Sequence, residues 1–83
     1  MKFKIIPTKQ FAKDFIKIKD KKVQKEIKDK IEEVSYNPTR YKRLHYDLKG
    51  SFRIRVEVYR VIYSVNIELE EMYLEKIVFG HKY

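Results

Sequence analysis

Hydrophobic and polar residues alternate one for one through the run SFRIRVEVYRVIY, Ser51 to Tyr63. Phe52, Ile54 and Val56 interleave with Arg53, Arg55 and Glu57, and Tyr59, Val61 and Tyr63 interleave with Arg60, Ile62 and Ser64. A period of two predicts two half-buried strands, each with one apolar and one polar face. Both apolar faces must reach the same core, and a one-residue slip would expose one of them. Centring the turn on Glu57-Val58 therefore pairs Val56 with Tyr59, Arg55 with Arg60, Ile54 with Val61, Arg53 with Ile62 and Phe52 with Tyr63. The turn lacks the Asn-Gly or glycine that tight hairpins prefer, so a longer loop or a bulge at the same point is an alternative.

Before this hairpin the period changes. Lys2 to Ile6 reads as a short first strand, and Pro7 punctuates it. Thr8 is placed to cap a helix, in which Phe11, Phe15 and Ile18 recur at helical spacing to about Lys19. Asp20 is a second N-cap, followed by Val23, Ile27, Ile31 and Val34 on one helical face. Their short join predicts an antiparallel helical hairpin, whose apolar stripes cover one face of a sheet. Asn37-Pro38 stops the second helix, because the residue before proline avoids helical geometry. A short strand over Leu44 to Leu48 and a Lys49-Gly50-Ser51 turn lead into the arginine hairpin. Met72 to Phe79 is the last strand, with a mixed pattern that suits burial on both sides. The expected fold is α+β, in the order β-α-α-β-β-β, with the helical hairpin on one face of a small, mainly antiparallel four-stranded sheet. The whole chain, residues 1–83, is expected to be one domain.

Charge changes this picture at one place. The formal net charge is +8, which favours an anionic partner. All five arginines, at positions 40, 43, 53, 55 and 60, fall in the middle of the chain, whereas eleven of the lysines precede residue 36. Arginine suits bidentate recognition of phosphate, and scattered lysine mainly solvates a surface. The inferred register sets Arg55 against Arg60, with Arg53 about 7 Å along the same face. Like charges directly opposite destabilise a sheet. Single arginines on a strand's solvent face are ordinary; three together with few acids nearby point to an anion.

The composition excludes other chemistry. There is no cysteine, so neither disulfides nor a thiolate site is available. Two histidines give no ligand spacing for a metal, and Gly50 and Gly80, the only glycines, cannot form a phosphate-cradling loop. No cofactor and no membrane partner are expected, and the lack of a secretory or membrane-spanning apolar run makes the cytoplasm the expected location. The chain ends Gly80-His81-Lys82-Tyr83. His81 titrates near neutrality, but a terminal His-Lys-Tyr alone reads as a frayed tail.

The run Leu44…Leu48-Lys49-Gly50-Ser51-Phe52-Arg53-Ile54-Arg55-Val56…Tyr59-Arg60-Val61-Ile62-Tyr63, followed by Ile77-Val78-Phe79-Gly80-His81-Lys82, resembles the RelE/ParE superfamily of toxin–antitoxin toxins. The resemblance covers nearly the whole chain and is most specific in the paired R-I-R and Y-R-V-I-Y strands and the Gly-His-basic ending. It implies one of two activities. RelE-like members are ribosome-dependent endoribonucleases that cut mRNA in the A site, and ParE-like members act on DNA gyrase. The RelE branch has basic residues at the positions of Arg53, Arg55, Arg60 and Lys82, and all four are basic here. In many members a tyrosine lies several residues beyond the last of these; here Tyr83 follows at once. The related YoeB toxins end in a tyrosine with a histidine nearby, which implies those roles for Tyr83 and His81. Their catalytic glutamate has no match, since Lys42 stands near its place. The implied site is thus Arg53, Arg55, Arg60, His81, Lys82 and Tyr83. The implied partners are a RelB-like antitoxin, the ribosome and mRNA, with no metal or small-molecule cofactor. A gyrase inhibitor, or a non-catalytic RNA-binding relative, is the alternative.

Overall fold

The computed structural model describes residues 1–39 and 51–79, in the order β1 (Lys4–Pro7), α1 (Lys9–Lys17), α2 (Lys21–Ser35), β2 (Phe52–Val56), β3 (Tyr59–Asn66) and β4 (Glu71–Phe79). Both predicted caps form. Thr8 Oγ1 accepts from the Phe11 amide at 3.2 Å, and Asp20 Oδ1 accepts from Lys22 and Val23 at 2.9 and 3.4 Å. Each satisfies amides that the first helical turn leaves without partners. α1 ends two residues before Lys19, because Ile18 turns extended and is buried. The Gln24 side-chain amide then donates to the Phe15 and Ile18 carbonyls, closing the joint between the helices.

The sheet has the order β1-β4-β3-β2, with β1 parallel to β4 and the other pairs antiparallel. β1 starts and ends later than the sequence suggests. The Lys4 and Thr8 amides donate to Glu70 and Leu74. Strand alternation then turns the position of the missing Pro7 N–H to the outer edge, where a proline is tolerated. The helical hairpin covers one face. Ile27, Ile31 and Val34 from α2 pack with Phe52, Ile54 and Val56 of β2, Val61 and Tyr63 of β3, and Met72 and Leu74 of β4. Each fully buried aliphatic side chain contributes about 1.5–3 kcal/mol, and truncating Ile54 to alanine at the centre would cost about 2–5 kcal/mol. The phenol of Tyr63 is inside this core and donates to the Pro38 carbonyl at 2.8 Å, tying the end of α2 to the sheet.

The expectation that β4 is buried on both sides is wrong. Its mixed pattern has another cause, a bulge. From Asn66–Glu71 to Tyr63–Leu74 the β3–β4 pairing is regular; the next pair is Ile62–Lys76, so Glu75 is an extra residue. A bulge inverts the in–out phase beyond it. Met72 and Leu74 point to the core before it, and Ile77 does so after it. The predicted strand over Leu44 to Leu48 lies outside the described residues. Among the described residues, no helix is long and apolar enough to cross a membrane.

Candidate nucleic-acid interface

The β2–β3 pairs are the five derived above, Phe52–Tyr63 through Val56–Tyr59, with Arg55 opposite Arg60. The turn has only two residues, and Glu57 takes φ 56, the left-handed value a glycine would normally supply. Core residues flank each arginine in sequence, so Arg53, Arg55 and Arg60 all emerge on the face away from the helices. Arg55 is exposed; Arg53 and Arg60 are half-buried. Arg53 Nε is shut off from solvent and has no acceptor among the described residues. A dry donor without an acceptor costs about 1–3 kcal/mol, and the half-exposed remainder of the guanidinium is what an anion above the face could reach.

Arg55 has a second environment. It lines a polar cleft of about 390 Å³ between α2 and the β2–β3 turn, with Glu26, Asp29, Lys30, Glu33 and Glu57. The Oε1 oxygen of Glu26 there is shielded from solvent and has no hydrogen-bond partner of its own among the described residues. The pKa of Glu26 is raised by a hydrogen bond with the Glu57 carboxyl, then by burial, then by the repulsion between the two charges.

The open face is polarised along its strands. Arg53, Arg55 and Arg60 occupy the end near the β2–β3 turn. At the other end Ser64 Oγ donates to Glu75 at 2.6 Å, and the Tyr73 hydroxyl bonds to Glu71. That bond, with burial and the Glu71 charge, raises the Tyr73 pKa above the ordinary phenol range. The charges of this face therefore favour an anion at the arginine end over the other end.

The structure adds one cation that the sequence pattern did not single out. Lys76 pairs with Ile62, which pairs on its other side with Arg53. The next row is Arg55–Arg60–Val78. Lys76 was read as part of a buried strand, and only the bulge at Glu75 brings it to this face. A bulge leaves no signature in composition or spacing strong enough to place it in advance. His81, Lys82 and Tyr83 lie outside the described residues. Phe79, the last described residue of β4, pairs with Tyr59 beside Arg60, so the strand leads the chain to the arginine end of the sheet. Among the described residues, no group of three or more His, Cys, Asp or Glu side chains could hold a metal ion.

Residues 5–78 match the model of a family described as the ParE toxin of the type II toxin–antitoxin system parDE. The isolated Escherichia coli RelE toxin superposes with a TM-score of 0.82 at 18% identity, over 95% of this chain and 85% of that one. The archaeal RelE–RelB complex from Pyrococcus horikoshii gives 0.80 at 20% identity over 100% of both chains. The RelBE2 toxin–antitoxin complex of Mycobacterium tuberculosis gives 0.80 at 20% identity, over 95% of this chain and 92% of that one. At these identities the structural likeness is one of fold. No curated protein matches the chain in sequence.

Proposed function

Because the chain belongs to the RelE/ParE superfamily of type II toxin–antitoxin toxins, we propose that it is the toxin of such a pair. In this reading it cuts mRNA on the ribosome and is restrained by a RelB-like antitoxin. The observation that carries the reading is the arginine face. Arg55 stands directly opposite Arg60, and beside them Arg53 holds a dry donor with no acceptor among the described residues. A sheet retains such repulsion where an anion relieves it.

The reaction is a transfer within the RNA strand. The 2′-oxygen attacks the adjacent phosphorus as the bond from phosphorus to the 5′-oxygen breaks. The proton of the 2′-hydroxyl passes to a base, and an acid protonates the departing 5′-oxygen. The products are a 2′,3′-cyclic phosphate and a 5′-hydroxyl end. Arg53 and Arg60 stabilise the charge that builds on the phosphoryl oxygens. Arg55 adds charge but is no base, since a guanidinium keeps its proton in proteins. Lys82 adds charge, and His81 or Tyr83 moves the protons. Positioning by the ribosome supplies part of the rate.

The test is a primer-extension map of mRNA on reconstituted ribosomes. Wild type cuts in the A site, and Arg60→Ala cuts about a hundredfold less or weaker still, the scale of losing one transition-state donor. Equal cutting by both removes Arg60 from the mechanism. The family match to ParE toxins favours one second reading, inhibition of DNA gyrase. It predicts loss of supercoiling with mRNA left intact, so a gyrase assay run beside the cleavage map separates the two.

A further inference from the structure

We propose that Lys76 is a fourth cation of the arginine face, and that with Arg53 it holds a second phosphate, adjacent to the one at Arg55 and Arg60. The proposal rests on the face binding a nucleic-acid strand, and not on that strand being cut.

Three observations carry it. The first is position. Arg53, Ile62 and Lys76 form one row across three strands, and Arg55, Arg60 and Val78 form the next. Rows two residues apart are separated by about 7 Å, and the outer members of a three-strand row by about 10 Å. Ile62, only 9% exposed, makes an apolar floor between Arg53 and Lys76. Two long side chains rooted on either side of such a floor can converge on one anion above it. The row spacing suits neighbouring phosphates of an extended single strand, and the basic groove of a single-strand binder tracks the backbone in this way.

The second is availability. Lys76 is exposed and has no ion-pair partner among the described residues. The acid next to it in sequence, Glu75, is engaged by Ser64.

The third is the bulge. If the regular pairing from Asn66–Glu71 to Tyr63–Leu74 simply continued, Ile62 would meet Glu75 and Val61 would meet Lys76. An acid would then join the Arg53 row, and a lysine would enter the core. The extra residue sets Lys76 in the Arg53 row instead, and leaves Glu75 on the same face outside that row, where Ser64 bonds it. Neighbouring elements hold it in place: Thr8 Oγ1 donates to the carbonyls of Leu74 and Glu75 at 2.8 and 2.9 Å, and Asp14 Oδ2 accepts from the Ile77 amide at 2.9 Å.

The experiment measures binding of a short labelled oligouridylate to the purified protein by fluorescence anisotropy across a series of salt concentrations. Losing one phosphate contact to a single strand lowers the slope of log affinity against log salt by about 0.7. Lys76→Gln is expected to lower the slope by that amount and to weaken binding several-fold at low salt, with Lys76→Arg restoring both. Lys25→Gln removes the same charge from α2, on the opposite side of the sheet, and is expected to leave the slope unchanged. An unchanged slope in Lys76→Gln, an equal drop in Lys25→Gln, or no binding by wild type overturns the proposal. A protein that fails to cut mRNA yet keeps a slope dependent on Lys76 refutes the nuclease reading and upholds this one.

Discussion

Glu26 and Glu57 face each other where α2 meets the β2–β3 turn. A shielded carboxylate oxygen with no donor is satisfied when one of the two carboxyls takes a proton. The hydrogen bond to Glu57, then burial and the Glu57 charge, raise the Glu26 pKa above its unfolded value. The folded state therefore holds this proton more tightly than the unfolded chain. The stability it contributes is fully present below the ordinary glutamate range and is lost as pH rises through the raised value. Glu57→Gln offers a neutral donor in place of the second charge. Its melting temperature is expected to exceed that of wild type at neutral pH, with the difference closing on acidification. Thermal melts of both proteins across that range check the sign, and a difference independent of pH would refute the account.

At the scale of the element, Thr8 joins three structures. It caps α1, its amide extends the β1–β4 pairing to Leu74, and its hydroxyl holds the bulge carbonyls of β4. Valine matches its shape but supplies none of the hydroxyl's bonds. Thr8→Val is expected to destabilise the protein by about 1–2 kcal/mol, combining a lost cap with the loss of one hydroxyl proton. The Leu74 and Glu75 carbonyls share that proton, and of the two Leu74 keeps the Thr8 amide. Thr8→Ser should keep most of that stability. Urea unfolding of the two variants measures the difference, and equal losses would show that the methyl group, and not the hydroxyl, matters here. The cap was legible in the sequence, because a short polar residue preceded a helical period. The second task was not, because it depends on β4, 66 residues further along the chain.

At the scale of the molecule, charge and fold oppose each other. The helices shield one face of the sheet, and the other carries Arg53, Arg55, Arg60 and Lys76. Relieving one like-charge pair should stabilise the free protein. Arg55→Gln is expected to add about 0.2–1 kcal/mol at low ionic strength, the scale of a cross-strand pair. The gain should shrink as salt screens the exposed charge. Chemical unfolding at low and high salt tests this. A loss of stability on substitution would show that the attraction of Arg55 to the acids of the cleft beside α2 outweighs its repulsion from Arg60.

The sequence by itself determined the helices, their caps, the hairpin register and the cluster of three arginines. Each follows from a local period plus the requirement that apolar residues share one core, and Arg55 meets Arg60 because Ile54 must meet Val61. Tertiary structure alone decided what β4 presents. A strand's phase is local only while its pairing stays regular, and the extra residue at Glu75 is stabilised by Thr8 and Asp14, which lie far away in the chain. That is why Lys76 reads as interior in the sequence and stands with the arginines in the fold.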